Sequence, residues 1–366
     1  MPDPRHQKLA HVLVHYSLAL KPGDKLLLGG PTFAEPLIRE VYREAVRAGA
    51  HVTTNIWMEG LQEIFYHEAN DEQLAYVSEV DKFEAEYYDA ELTIWGAQNT
   101  KGLSGIDPKR IAKRSEARAV LFKLSLARMA RGESRWCGTM FPTNAHAQDA
   151  GMSLTDFENF VYNAGLLNEA DPVAGWRKVY EQQQRIADFL EQHDEIHIVA
   201  PDTDITYRVG GRKWINCAGT ENFPDGEVFS GPIENSVNGT VRFTYPAIYD
   251  GNEVEDVRLT FREGRVIESS ATRGLDFLNA MLDMDAGSRY LGEVAFGLNY
   301  NIQQFSKDTL FDEKIGGTMH MALGASLPES GGVNESGLHW DMVCDLRQGR
   351  VYADGQICYE NGRFII

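Results

Sequence analysis

The sequence predicts an α/β protein in two parts. An N-terminal α/β domain with a mainly parallel sheet is expected over residues 1–195, and a C-terminal mixed α+β domain over residues 196–366. Three observations predict this. The first half alternates helix-period and strand-like segments. Near residue 195 the texture changes to short strands separated by Gly, Asp and Asn turns. The length, 366 residues, suits two to three domains at about 150 residues each.

The elements follow in order. Residues 7–20 carry Leu9, Val12, Leu13, Leu18 and Leu20 at helical spacing. Gly23-Asp24 then introduces Lys25-Leu26-Leu27-Leu28-Gly29-Gly30, a short apolar run that reads as a buried strand. Residues 34–48 form a helix, with Leu37, Ile38, Val41, Tyr42 and Ala45 on one face and Gly49 as its stop. His51 to Trp57 is the next strand, so the order implies a right-handed parallel crossover. Ala90 to Trp95 and Ala119-Val120-Leu121-Phe122 are read as further strands. Helices are expected over 154–165, opened by Ser153, and over about 175–192. Strands are expected at 196–200, 205–209, 239–243 and 257–261, and a helix over about 273–285.

Charge and composition exclude several classes. The 54 acidic against 35 basic residues give a net charge of -19, which disfavours nucleic acid and anionic membrane as partners. Acidity serves solubility first, and secondarily attracts cationic substrates. Gly29-Gly30-Pro31 sits where a nucleotide loop would sit, but lacks G-x-G-x-x-G spacing, and Pro31 removes an N–H donor. Cys137, Cys217, Cys344 and Cys358 form no C-x-x-C pair, so a thiolate zinc site is not expected. Met1-Pro2-Asp3-Pro4-Arg5-His6 shows no signal-peptide pattern, and no apolar run approaches the roughly 18 residues of a membrane span. A cytoplasmic location is expected.

Most of the ten histidines read as structural or solvated. His6, His11, His15, His51, His67, His193 and His197 lack a suggestive carboxylate spacing, and His146 reads as a loop hydrogen-bonder. His339-Trp340-Asp341 differs: in a strand, residues two apart share a face, so imidazole and carboxylate can grip one divalent ion. Three segments add to it. Glu227 lies beside the Gly226 turn, Glu293 stands alone in Leu291-Gly292-Glu293-Val294-Ala295-Phe296, and Asp312-Glu313 precedes Thr318-Met319-His320. Glu293 joins a metal site, pairs with an arginine such as Arg289, or faces solvent, since a lone buried carboxylate is costly. Carboxylates with histidine and no cysteine suit zinc, cobalt, manganese or iron.

At these residues the chain resembles the thermophilic-type metallo-aminopeptidases, the aminopeptidase T and aminopeptidase S group. The matching stretches are Asp225 to Pro232, Leu291 to Ala295, Thr309 to Glu313, Thr318 to Gly324 and Ser336 to Met342. Looser similarity reaches Gly23 to Ala50 and Trp136 to Tyr162. The resemblance implies a C-terminal catalytic domain, a homodimer, and peptide substrates with a free N-terminus. It implies two divalent ions (zinc, cobalt or manganese) held by Glu227, Glu293, His320, His339 and Asp341, with Glu313 as a sixth ligand. Glu293 would be the carboxylate shared by both ions, and Glu227 the general base. One residue departs from the pattern: family members usually carry a tyrosine where this chain has Leu327. Two other readings stand beside the peptidase: a single-iron ring-cleaving dioxygenase, and a non-catalytic or weakly active metal-binding homologue.

Overall fold

The computed structural model describes residues 3–366. It divides into two compact units: the chain up to Val173 with Gly219–Pro224, and Ala174–Ala218 with Asp225–Ile366.

The first unit is built on a five-stranded parallel sheet. Its order is His51–Trp57, Lys25–Pro31, Ala90–Trp95, Arg135–Met140 and Asn222–Phe223. Lys25–Pro31 is central and buried beyond its first residue, as its apolar run requires. Helix Glu35–Arg47 returns the chain to the neighbouring strand, burying Leu37, Ile38, Val41 and Ala45. Two expectations change here. The first helix is α-helical over Pro4–Val12 and then widens into a π turn over Leu13–Ser17. Ala119 to Phe122 is not a strand but part of helix Pro108–Ala130, capped by the Asp107 side chain with Pro108 at the first position. A four-residue apolar run with two β-formers, Val120 and Phe122, misled because a long run of Arg, Lys, Ala and Leu surrounds it; the strand is Arg135–Met140.

The second unit holds two large antiparallel sheets and a two-stranded one, Ala247–Tyr249 with Asn252–Val254. Eight strands run Arg265–Ser270, Arg258–Arg262, Asn238–Arg242, Thr203–Arg208, Glu195–Ala200, Arg350–Ala353, Gln356–Glu360 and Arg363–Phe364. Five run His339–Asp345, Thr318–Gly324, Leu291–Gly297, Glu227–Ser230 and Ile215–Cys217. One apolar core joins the two sheets, with Ile196, Ile198, Val241 and Phe261 from the first and Val294, Phe296, Met321 and Trp340 from the second. The expected combination of a parallel-sheet N-terminal part and a mixed C-terminal part is therefore present. The division differs from the boundary expected at 195. Helix Pro172–Leu190 lies almost wholly in the second unit, because Ala187 and Leu190 belong to that unit's core. Gly219–Pro224 returns to add a strand to the first unit's sheet.

Candidate metal centre

Alternation along the five-stranded sheet puts every second residue on one face. Register then aligns them: Glu227 opposite Gly297, Phe229 opposite Ala295, Ala295 opposite His320, Ala322 opposite Glu293 and Asp341, and Gly324 opposite His339. The apolar partners Val228, Val294, Phe296, Met319, Met321, Trp340 and Met342 point the other way into the core. Glu227, Glu293, His320, His339 and Asp341 thus share one face. Glu313 reaches them from the segment after helix Thr309–Asp312.

The distances are short. Glu293 Oε1 lies 3.2 Å from His320 Nε2, and its other oxygen lies 3.5 Å from His339 Nε2. Asp341 Oδ1 lies 3.8 Å from His339 Nε2 and 4.0 Å from His320 Nε2. Glu227 Oε2 lies 3.6 Å from His320 Nε2. Two triads, Glu293–His339–Asp341 and Glu313–His320–Asp341, each bring three ligand atoms within 4.8 Å of one another. Glu227 belongs to neither triad. Arg289, the alternative partner for Glu293, pairs with Asp283 instead.

Both imidazoles are aimed by the backbone. His320 Nδ1 donates to the Glu313 carbonyl at 3.1 Å, and His339 Nδ1 donates to the Ala325 carbonyl at 2.8 Å. Each Nε2 then faces the carboxylates, the orientation in which metal-binding histidines are usually held. Gly292 permits this, since a Cβ there would overlap the Ala325 carbonyl. The strand register also slips between Leu291 and Glu293.

The electrostatics ask for more positive charge. Glu227, Glu293 and His320 are buried, and Asp341 and Glu313 are nearly so. Besides the two histidines, their cationic partner among the described residues is Lys314, fully buried, 3.4 Å from Glu227 Oε1 and bonded to Glu313. Burial pushes the Glu227 carboxyl up to about 8, against the pull of Lys314. Burial, with Glu313 beside it, raises Asp341 to about 6. Burial would lower His320, but the hydrogen bond to Glu293 and the charge of Glu227 hold it up at about 10. Burial would likewise lower His339, and Asp341 and Glu293 raise it. Glu227 Oε2 and Asp341 Oδ1 are buried without a hydrogen-bond partner. Unpaired buried oxygens are costly, and crowded carboxylates facing two aimed imidazoles fit divalent cations.

A family model described as thermophilic metalloprotease matches residues 3–364. The chain belongs to that family. This metalloprotease is 32% identical to aminopeptidase 2 of Geobacillus stearothermophilus, over 95% of this chain and 94% of that protein. It is 28% identical to aminopeptidase AmpS of Bacillus subtilis, over 97% of each. The solved structure of wild-type AmpT from Thermus thermophilus superposes with a TM-score of 0.86 at 25% identity, covering 99% of each chain. The chain is accordingly a peptidase hydrolase, and its family implies a divalent metal.

Sequence reasoning missed one part of the metalloprotease's centre, Lys314. Lys314 was passed over because one more lysine after two acids looks like a solvated charge, yet it has no exposed surface. Asp312 is not in the cluster. Ser306 holds its carboxylate through backbone N–H and hydroxyl at 2.6 and 2.8 Å. Burial raises it to about 8. It lines a small, open cleft beside the centre, together with Glu313, Asp341 and the apolar Pro246, Ile248, Phe305 and Val343. His146 lies not in a loop but in helix Asn144–Asp149, where its ring shares a 2.9 Å hydrogen bond with Thr143, the residue that caps that helix.

Proposed function

We propose that this metalloprotease is a two-metal aminopeptidase, cleaving the first peptide bond of substrates with a free N-terminus. The observation that carries the reading is the pair of ligand triads meeting at Asp341 on one sheet face, each with one backbone-aimed histidine. The relatives' names as aminopeptidases support it.

Glu293, His339 and Asp341 would hold one ion (zinc, cobalt or manganese), and Glu313, His320 and Asp341 the other. Glu293 is the further shared ligand, since each of its oxygens faces a different histidine. Glu227 completes the set, as ligand or as proton acceptor. Bound there, two such ions supply a water of lowered pKa and a polarised carbonyl. Glu227 stands outside both triads but within 3.6 Å of His320, where a proton from attacking water can be taken up and returned to the leaving amine. Lys314 fixes Glu227 and Glu313 relative to one another. The apolar Pro246, Ile248, Phe305 and Val343, which line the cleft with Glu313 and Asp341, would contact the substrate's side chain. Four carboxylates at the centre argue against the single-iron dioxygenase, which needs one.

We also place the enzyme in the cytoplasm as a homodimer. All four cysteines are buried and none is in a disulfide, and no helix among the described residues is long and apolar enough to cross a membrane. Strand His51–Trp57 is an edge with exposed Ile56 and Trp57, and helix Pro108–Ala130 exposes Val120, Phe122 and Leu126. Apolar surface of this kind is what a second copy would cover.

The test is an assay of the zinc-, cobalt- or manganese-loaded protein on aminoacyl amides, short peptides and their N-acetylated counterparts. Release of the first residue alone, abolished by acetylation, is expected. Internal cleavage, or turnover of acetylated peptides, overturns the aminopeptidase reading.

A further inference from the structure

Away from the acidic centre, in the first unit, His11 and His15 both turn to Glu44. His11 Nδ1 lies 3.0 Å and His15 Nε2 2.9 Å from the same oxygen, Glu44 Oε1. The two rings lie 4.5 Å apart. Their spacing in sequence shows only two histidines four apart; the carboxylate comes from helix Glu35–Arg47, which the sequence does not place.

Two independent features mark the trio as built. The first helix leaves α geometry at this point. His11 sits in the α-helical part and His15 in the π turn Leu13–Ser17, closed by the Leu18 N–H on the Leu13 carbonyl at 3.0 Å. A π turn is uncommon and weakens the helix, and such turns occur disproportionately at functional sites. It changes the angle between His11 and His15 just where both rings converge. The trio also stands on rigid supports: Leu9, Ala10, Val12, Leu13 and Val14 are buried beneath the histidines, as are Val41 and Ala45 beside Glu44. The rings remain partly exposed, so an ion can enter.

We infer that His11, His15 and Glu44 form a divalent-cation site, separate from the acidic centre, that clamps the first helix to helix Glu35–Arg47. The three ligand atoms lie within 4.8 Å of one another, the span one ion can bridge. Two neutral imidazoles with one carboxylate select borderline cations such as zinc, cobalt, nickel or copper over magnesium or calcium, which want oxygen. With three protein ligands at the surface, water fills the remaining positions and the ion exchanges with solvent. Arg47, 3.6 Å from the other Glu44 oxygen, keeps that carboxylate from swinging away.

Equilibrium dialysis of the chelator-stripped full chain against zinc chloride tests this. The wild type should take up one more equivalent than His11→Ala/His15→Ala, while both retain the same zinc at the acidic centre and the same peptidase turnover. Glu44→Gln should weaken that extra equivalent by about tenfold or more. Copper(II) supplies a second readout: the wild-type-minus-variant electron paramagnetic resonance spectrum should show coupling to two nitrogens. The single variant His15→Asn serves if the double variant does not fold, and should lose the same equivalent. Equal zinc uptake by all proteins, or a difference seen only above about millimolar zinc, overturns the site.

Discussion

The two faces of the five-stranded sheet share every strand and almost nothing else. On one, Val294, Phe296, Met319, Met321, Trp340 and Met342 join the second unit's apolar core. On the other, residues one step along carry Glu227, Glu293 and His320, buried almost as deeply, and the part-buried His339 and Asp341. The first face gains free energy by leaving water. The second loses it, because buried carboxylates are costly until a cation meets them. The difference shows how a centre can be held to within fractions of an ångström. The apolar face locks the strands, and the polar face inherits their rigidity.

The largest expected effects separate the faces. On the polar face, His339→Ala should lower turnover by about 10³-fold, roughly 4 kcal/mol of barrier, while the metal-free protein melts at or above the wild-type temperature. On the apolar face, Phe296→Ala should do the reverse. It should cost about 3–5 kcal/mol of stability and leave turnover of the folded protein within about threefold. Denaturant melts and steady-state kinetics on both variants check this. If each variant lost both properties equally, the division of labour between faces would be wrong.

How legible this was in the sequence depended on what each signal needed. The polar face was readable because its chemistry is local: H-x-D in a strand, and a lone glutamate inside an apolar run. The parallel sheet was readable from Lys25–Pro31 and Ala90–Trp95, whose apolar runs are bounded by turns. Lys314 was not, since burial of a lysine depends on Glu227, which is distant in sequence. Nor was the His11–His15–Glu44 trio, whose third member arrives by packing of one helix on another. Ala119 to Phe122 failed for the opposite reason: a short apolar run with two β-formers is a weak local signal inside a long, well-capped helix.

A second comparison lies within the polar face. Glu293 offers one oxygen to each histidine, whereas Glu313 lies beside Lys314. Glu293→Gln should therefore remove more bound metal than Glu313→Gln, read by elemental analysis of purified variants. Equal occupancy would take the bridging role from Glu293 and leave it with Asp341, the residue common to both triads.

Leu327 tests whether the polar face is complete. It packs against Cys217, Phe229 and Ala295, on the metal-facing side of the sheet. The family resemblance places a phenol there. Leu327→Tyr should raise kcat, by up to about 10²-fold if the phenol stabilises developing charge, with metal content unchanged. A wild-type kcat already on the order of 10 s⁻¹ or more would show that the phenol is dispensable.

The smallest effect expected is at the loop that delivers His339. Asp285 accepts the Gly287 and Ser288 N–H groups at 2.9 Å each, the Gly337 N–H at 2.7 Å and the Ser336 hydroxyl at 2.9 Å. Gly337 and Ser336 lead directly into strand His339–Asp345. The Gly337 N–H, first among these donors, holds the Asp285 carboxyl below the usual carboxylate range. A depressed folded-state pKa contributes stability above the unfolded-state value of about 3.9, and that contribution is lost as pH falls through the folded-state value. Asp285→Asn should thus cost about 1 kcal/mol at neutral pH, a net hydrogen-bond's worth, moving the melting midpoint by roughly 2–4 °C. The exposed position keeps the effect that small. The gap between variant and wild type should close as the medium is acidified below pH about 4. Turnover should barely change, because the Ala325 carbonyl and the sheet, rather than this loop, aim the His339 ring. A variant of near-normal stability that lost most of its activity would move the control of His339 from the rigid sheet to the loop before it.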